Sequence, residues 1–337
     1  MATSETIKSL NIDSVRKILN EKKSISKTDI VKFTGLSFPT VSSIIEYLTK
    51  KNEVVEDGIS DSLGGRCAKK YCLNPLYAVF LSIYLEGNKI NWIVTNFYRN
   101  KIDFGSVNIE DKTLYEIENI IVLTKTRYHQ LASLTIGIAS NIRNGKVTSH
   151  TKYNDLKEIN INDYLMTKYN MPVILENDMN IVAKGYLERS GNENMNTIVS
   201  IYIGDNGIGS SLILNGKLWK GVTSFAGELH YLPINSENNS PEHFPICTES
   251  FECPKLNFNN HNIIEYYGKI IQSYIVLINP NLIVLYNNPY ISNKLEELRL
   301  YCGSRIPYDV MPNIILSNEF ISDYEYGLSK IAFDLIN

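Results

Sequence analysis

The 337-residue sequence lacks any run of 18 apolar residues, and its N-terminus, MATSETIKSL, has no apolar segment of the kind found in secretory signals. These absences predict that the chain neither spans a membrane nor is secreted. Cysteine is also scarce. The five cysteines, an odd number, are scattered at Cys67, Cys72, Cys247, Cys253 and Cys302. Scattered thiols are typical of a reducing compartment, so we expect a cytoplasmic protein.

Net charge is small, at −3, but it is unevenly distributed. Residues 1–74 carry 12 Lys and Arg against 9 Asp and Glu, whereas the remainder carries 21 against 27. A basic segment on an acidic body is expected of a nucleic-acid-binding module joined to a small-molecule domain. The length of 337 residues is enough for two or three domains.

The basic segment has the pattern of a helix-turn-helix. Apolar residues at helical spacing, among them Val15 and Leu19, predict a first helix, and a second helix is stopped by Gly35. Ser37 is placed to cap a third helix, whose first residues would face the bases in the major groove. The predicted DNA contacts on this helix are Ser37, Phe38, Thr40, Ser42 and Ser43. A three-helix packing unit without DNA binding is the alternative, but the exposed face is short, polar and poor in carboxylates.

Two predicted strands follow, at 53–56 and 71–73, and the loop between them contains Gly64-Gly65-Arg66. This arrangement predicts a wing, because Arg66 on a glycine pair can reach into a narrow, electronegative minor groove. A solvated hairpin end is the other interpretation of the same loop.

From residue 79 onward, predicted strands and helices alternate in two similar β-β-β-α-β-α-β-α sets. This repetition predicts two α/β lobes, and a cleft between lobes is a common ligand site. We therefore expect a winged helix-turn-helix at 1–74, a first lobe at 75–190 that includes a C-terminal helix at 324–337, and a second lobe at 191–323.

The most specific stretch is GDNGIGSSLILNGKLWKGVTSFAGELHY at 204–231, which contains six glycines. Asn215-Gly216 between apolar runs predicts a tight hairpin turn, and Glu228 follows at the edge of the loop. Each glycine alone fits ordinary turn chemistry. In this order, however, GIG, LILNGKLWKG and FAGEL closely resemble the segment typical of the ROK family of sugar kinases and sugar-responsive repressors. The resemblance runs from about Ser14 to the C-terminus and includes the GGR wing before Asn74-Pro75.

The resemblance implies a fold similar to actin and hexokinase, with sugar and Mg-ATP held between the lobes. LEND at 175–178 matches the family's END motif. The match implies that Asn177 hydrogen-bonds sugar hydroxyls and that Asp178 stands at the general-base position of a kinase. From the residues alone, Asp178 could instead cap the helix beginning at Met179. Glu228 would be a further acceptor for hydroxyl groups.

The predicted sugar site is termed the sugar side and comprises Asn177, Asp178, Glu228, Tyr231 and Lys255. Several family motifs have changed there. The His three residues after the glutamate is Tyr231 here, and the zinc loop CxCGxxGC is reduced to Cys247 and Cys253. Both cysteines could join His230 and His243 as ligands, but their spacing matches no zinc pattern, so we expect no metal. Lys255 replaces a family glutamate. Because an ammonium suits an anion, Tyr231 and Lys255 indicate a phosphorylated or acidic sugar, while complete loss of ligand binding is the alternative.

The nucleotide motifs have changed further. The family's DxGGTK loop is YLEGNK at 84–89, its second loop survives partly as GIASN at 137–141, and the glycines of its adenosine loop give way to YNN at 286–288. Tyr84 would block a triphosphate and Glu86 would repel it. We therefore expect no kinase activity, a non-catalytic Asp178 and no cofactor.

Together these features predict a cytoplasmic transcriptional regulator, most readily a repressor of carbohydrate genes. It would bind an inverted repeat in double-stranded DNA as a homodimer or higher homo-oligomer, and respond to a sugar or sugar phosphate. Two alternatives remain open: a sugar kinase with an appended DNA-binding domain, and a DNA-binding scaffold that senses no ligand.

Overall fold

A computed structural model of the chain describes residues 4–59, 68–110, 112–148, 153–157, 159–191, 196–204, 207–234 and 260–336. Within these ranges no helix is long and apolar enough to cross a membrane. The chain divides into two compact units. The first comprises Met1–Val79 with Asn96–Asn100, and the second comprises Phe80–Thr95 with Lys101–Asn337.

The first unit is a winged-helix fold. Its elements are α1 (Ser4–Lys22), β1 (Ile25–Ser26), α2 (Lys27–Thr34), α3 (Phe38–Lys50), β2 (Val54–Ile59) and β3 (Lys69–Leu73). The strands form one sheet in the order β1-β3-β2. The helices meet in an apolar core whose members Val15, Leu19, Ile30, Val41 and Ile45 are at most 1% exposed. The predicted helix-turn-helix and its strand pair are therefore confirmed.

Local chemistry fixes the turn between α2 and α3. Ser26 caps α2, because its hydroxyl accepts a hydrogen bond from the Asp29 amide at 3.2 Å. The helix ends at Gly35, whose φ of 71° a side-chain-bearing residue adopts only with strain. Ser37 then caps α3, with its hydroxyl accepting from the Thr40 amide at 3.3 Å. These caps hold α2 and α3 in the helix-turn-helix arrangement that the sequence predicts.

The second unit contains two five-stranded sheets, one in each lobe. The strands of the first lobe are β4 (Val79–Glu86), β5 (Lys89–Thr95), β6 (Lys101–Asn108), β7 (Leu131–Ile138) and β10 (Val173–Asn177), with a small hairpin of β8 (Ile142–Arg143) and β9 (Lys146–Val147). Those of the second lobe are β11 (Ile198–Gly204), β12 (Gly207–Leu214), β13 (Lys217–Trp219), β14 (Leu282–Tyr286) and β15 (Asn313–Ser317). The helices are α4 (Thr113–Arg127), α5 (Ile161–Tyr169), α6 (Asp178–Ser190), α7 (Asn260–Ile278), α8 (Leu295–Gly303) and α9 (Phe320–Asp334).

The two sheets have the same topology. Their strand orders are β10-β7-β4-β5-β6 and β15-β14-β11-β12-β13. In each sheet three consecutive strands are antiparallel neighbours, and the last two strands pair in parallel. One helix precedes each of the last two strands, and one follows the final strand. This duplication confirms the predicted two-lobed actin/hexokinase-like α/β fold.

Helices α6 and α9, which follow the last strand of each lobe, pack very closely. A Cβ at Gly185 would lie 1.7 Å from the carbonyl oxygen of Asp323, and a Cβ at Gly327 would lie 2.0 Å from that of Ile181. Both distances are shorter than any van der Waals contact, so a side chain at either position would push the helices apart. The glycines thus allow the backbones of α6 and α9 to come into direct contact.

A few element boundaries differ from the sequence predictions. A helix predicted over 114–131 ends at Arg127, because the chain from Leu131 onward belongs to the buried strand β7. The helix predicted from Ser292 begins at Leu295, and the final helix, predicted from 324, begins at Phe320. The sequence predicts neither β1 nor the β8-β9 hairpin, because strands of two residues show no periodicity.

Candidate functional site

The junction between β10 and α6 carries the residues that match the family's END motif. Asn177 is the N-cap of α6: its side-chain oxygen accepts from the Asn180 amide at 3.0 Å. Its side-chain nitrogen donates to the carbonyl oxygen of Ser140 at 3.1 Å. The amide of Asn177 is therefore engaged with the protein on both sides, so its predicted contact with a sugar stays a prediction.

Asp178 is the first residue of α6. The helix cap is Asn177, so the interpretation of Asp178 as the cap is wrong. The carboxylate of Asp178 accepts from the Met179 amide at 2.7 Å. Burial raises the pKa of Asp178 to about 6, and the charge of Glu86 acts in the same direction. A carboxyl with this pKa can accept or donate a hydrogen bond near neutral pH.

Glu228 reaches the same region from the second lobe. It follows Gly227, where a Cβ would lie 2.4 Å from the carbonyl oxygen of Ser210 and where φ is +97°. Glycine at this position lets the loop press against β12. Burial raises the pKa of Glu228 to about 7, and the charge of Asp178 contributes in the same direction. The charge of Asp178 therefore acts on Glu228 across the two lobes.

Polar contacts join the lobes beside these carboxyl groups. Lys220, which follows β13, donates to Glu176 at the end of β10. Glu176 is 5% exposed, and its other oxygen accepts from the side chain of Asn180 at 3.0 Å. Asn141, after β7, donates to the carbonyl oxygen of Ser224, which follows β13. The sugar side thus contains an ion pair and a hydrogen bond that both depend on the separation of the lobes.

The remaining candidates of the ligand site are only partly described. Tyr231 is 42% exposed, and its ring lies 4.9 Å from that of Phe225. Lys255 lies outside the described residues. So do Cys247, Cys253 and His243, as well as the side chain of His230. In the part of the chain that is described, no group of three or more His, Cys, Asp or Glu could hold a metal ion. The roles of Tyr231 and Lys255 stay predictions.

Aromatic side chains occupy the part of the lobe junction where the changed nucleotide motifs lie. Tyr84 and Tyr286, at two of those motifs, are 7% and 0% exposed. The ring of Tyr84 lies 4.9 Å from Tyr324, that of Tyr286 lies 5.3 Å from Phe320, and Tyr202 stacks on Phe320 at 3.8 Å. These five residues are termed the aromatic cluster. It joins strands of both lobes to α9, so at two nucleotide motifs the side chains belong to the protein's own core.

A buried carboxylate is hydrogen-bonded to one member of the aromatic cluster. Asp323 on α9 is 0% exposed. It accepts from the Tyr286 hydroxyl at 2.7 Å and from the Arg189 guanidinium at 2.6 Å. Sequence reasoning missed this network. The one available signal is the spacing of Phe320 and Tyr324, four residues apart on the same face of the last helix.

The start of α3 presents most of the predicted DNA contacts. Phe38 is 50% exposed, and Ser43 is also exposed. The hydroxyls of Ser37 and Thr40 share a hydrogen bond of 2.8 Å. Four of the predicted residues therefore lie within the first two turns of one accessible helix.

Ser42 is part of a small polar network on the same helix. Its hydroxyl accepts from the Lys27 ammonium at 2.9 Å and donates to Glu46 at 3.2 Å. Glu46 is the one carboxylate of α3, and Lys27 lies 3.9 Å from it. Arg66, the predicted wing contact, lies outside the described residues. The DNA contacts of these residues stay predictions.

The second unit, with its duplicated lobes and a carboxyl group from each of them on one side of the junction, defines a two-lobed fold of the sugar-kinase class. The family model "ROK family" matches residues 81–255, slightly more than half of the sequence. The chain therefore belongs to the ROK family.

Known proteins similar to the chain include both regulators and kinases. The xylose repressor of Bacillus subtilis is 27% identical over 271 residues, and that of Bacillus spizizenii is 26% identical over 270; each match covers 78% of this chain and 66% of the relative. The chain thus spans just under two thirds of these relatives.

Among solved structures, a ROK family transcriptional regulator described as a homologue of the E. coli MLC protein is 18% identical, with 97% of both chains covered and a TM-score of 0.69. A ROK glucokinase from Streptomyces griseus, solved with glucose and AMPPNP, is 14% identical over 76% of this chain and 100% of its own, with a TM-score of 0.55. At these identities the two likenesses show the fold.

Proposed function

We propose that the protein is a sugar-responsive transcriptional regulator that represses carbohydrate genes in the cytoplasm. Its winged helix-turn-helix would bind an inverted repeat as a homodimer. The observation that carries this proposal is the combination of a winged helix and a ROK domain in one chain. In the ROK domain, partly buried carboxyl groups lie at the predicted sugar site, and packed aromatic rings lie at the changed nucleotide motifs. The xylose repressors among the relatives support it.

The described charges favour a neutral sugar as effector. Three carboxyl groups lie in this region: burial and then the charge of Glu86 raise the pKa of Asp178, and burial and then the charge of Asp178 raise that of Glu228. The ammonium of Lys220 is already paired with Glu176. An anion entering this space would be repelled, whereas hydroxyl groups could hydrogen-bond with Asp178 and Glu228. These charges disfavour the expected phosphorylated or acidic sugar, whose recognition depends on Lys255.

Sugar binding would act on DNA through the separation of the lobes. Asp178 belongs to the first lobe and Glu228 to the second, so a ligand held by both favours one separation. The contacts of Lys220 with Glu176 and of Asn141 with Ser224 would then tighten or break. The ligand can shift this equilibrium only by the difference between its affinities for the two arrangements.

The aromatic cluster argues against phosphoryl transfer. A kinase needs Asp178 as base together with a bound nucleotide, and the buried rings of Tyr84 and Tyr286 occupy positions where the family places its nucleotide loops. A sugar kinase with a DNA-binding head is the second candidate, because the family also contains glucokinases.

The test is selection from the genome of the source organism. Purified protein is mixed with genomic fragments, and retained DNA is eluted with a panel of neutral sugars and sugar phosphates. We expect an inverted repeat that one neutral sugar releases. An Asp178→Asn variant should retain the same DNA without being released by that sugar. Retention that no compound alters would favour the scaffold that senses no ligand, and absence of retention would overturn DNA binding.

A further inference from the structure

The recognition helix has an unusual chemical composition for a DNA-reading surface. From Phe38 to Thr49, α3 contains no Arg, Lys, Asn or Gln. These four residue types make the paired hydrogen bonds that distinguish guanine and adenine in the major groove. Over these turns, α3 must therefore obtain specificity from other contacts.

Several hydroxyl groups of α3 already have partners within the protein. Ser37 and Thr40 share a hydrogen bond at the helix cap, and the Ser37 hydroxyl also accepts from the Thr40 amide. Ser42 is held between Lys27 and Glu46. These hydrogen bonds cap the helix and hold Glu46, which Lys27 also approaches to 3.9 Å, so the hydroxyl groups are less suited to reading bases.

Phe38 differs from its neighbours. It is a large apolar side chain, 50% exposed, on the first residue of α3. The Ser37 cap and Pro39 in the first turn fix its backbone. In a helix-turn-helix this is the end of the helix that faces base edges. The apolar group that base pairs offer in the major groove is the C5-methyl of thymine, which is a known partner of phenylalanine.

We propose that Phe38 recognises a thymine methyl group in each half-site of the operator. This inference rests on the proposed DNA-binding function. Charge supports duplex DNA as the occupant of this face, because Lys27 lies beside Ser42 and because Lys50 and Lys51 stand at the far end of α3, where phosphates would pass. The operator should accordingly contain an invariant T·A pair at the position facing Phe38.

The test replaces single thymines of the retained duplex with deoxyuridine, which removes the methyl and leaves every hydrogen-bonding group in place. For the wild-type protein, one symmetric pair of positions should weaken binding by about fourfold per half-site, as expected for one methyl group. Phe38→Ala should bind more weakly and lose sensitivity to deoxyuridine at that pair alone. Phe33→Ala, which removes another exposed phenylalanine, 55% exposed on α2, is the matched control and should keep the wild-type pattern. Phe38→Leu should keep part of the sensitivity.

Each outcome decides a separate question. If the wild type binds the duplex but is insensitive to deoxyuridine at every position, or if Phe38→Ala keeps the wild-type pattern, the methyl contact is wrong although DNA binding stands. If the wild type retains no duplex, the proposed function fails and the inference fails with it. Thermal unfolding of each variant shows whether a loss of binding reflects misfolding, which exposure of Phe38 makes unexpected.

Discussion

The sugar side and the nucleotide side of the second unit use equivalent parts of the duplicated fold, but their side chains differ in kind. In the first lobe, α6 begins with a capping Asn177 and the carboxyl group of Asp178. At the equivalent place in the second lobe, α9 begins with Phe320 and has no side-chain cap. One junction carries polar groups that are hydrogen-bonded within its own lobe, and the other adds a ring to a core. The comparison indicates that polar groups remain at one junction, while the protein's own rings fill the other.

Removing the carboxylate that is hydrogen-bonded to the aromatic cluster should have the largest effect on the unfolding free energy. In Asp323→Ala, the Arg189 guanidinium and the Tyr286 hydroxyl lose a fully buried partner. Breaking such a pair costs about 3–5 kcal/mol of unfolding free energy. Urea denaturation can be followed by tryptophan fluorescence, because Trp92 and Trp219 both belong to the second unit.

The matched control for this prediction is Asp334→Ala on the same helix. Its carboxylate pairs with Lys330 but is 47% exposed, so its loss should cost less than about 1 kcal/mol. Equal unfolding free energies of the two variants would mean that the aromatic cluster is not a tightly packed core.

On the sugar side, a carboxyl group should instead make the unfolding free energy depend on pH. Glu228 has a pKa of about 7 in the folded chain against an ordinary value of 4.5, so the native state binds this proton more tightly than the unfolded state. The resulting stability is fully present below pH 4.5 and is lost as the pH rises through 7. Between pH 8 and pH 5.5, Glu228 should add about 2 kcal/mol to the unfolding free energy.

Denaturation at a series of pH values checks this contribution. Glu228→Gln should reduce the pH dependence to the part that Asp178 contributes, whereas Glu296→Gln, at a side chain that is 76% exposed, should preserve it in full. An unchanged pH profile in Glu228→Gln would contradict the raised pKa of Glu228.

The sequence predicts the helices and strands around the two junctions better than the contacts between their side chains. The caps at Ser37 and Gly35 predict the helix-turn-helix, and the alternation of strands and helices predicts both lobes. Both signals are local in the sequence. The END match and Glu228 give the carboxyl groups of the sugar side. The engagement of Asn177 with Ser140, the pairing of Lys220 with Glu176 and most of the aromatic cluster could not be predicted, because each depends on contacts between residues distant in sequence.

The smallest expected effect is the response to nucleotide. Any ligand that binds only the folded state raises its unfolding free energy, by about 2.7 kcal/mol at a hundredfold excess over Kd. The effector sugar should raise the melting temperature in this way, and Asp178→Asn should reduce the shift. Mg-ATP should produce no shift, with or without the sugar, because the rings of Tyr84 and Tyr286 are buried in the aromatic cluster. A ROK glucokinase measured in parallel would supply the positive control. A saturable shift with Mg-ATP would show that the nucleotide side has stayed open, and the kinase with a DNA-binding head would then become the better account of this chain.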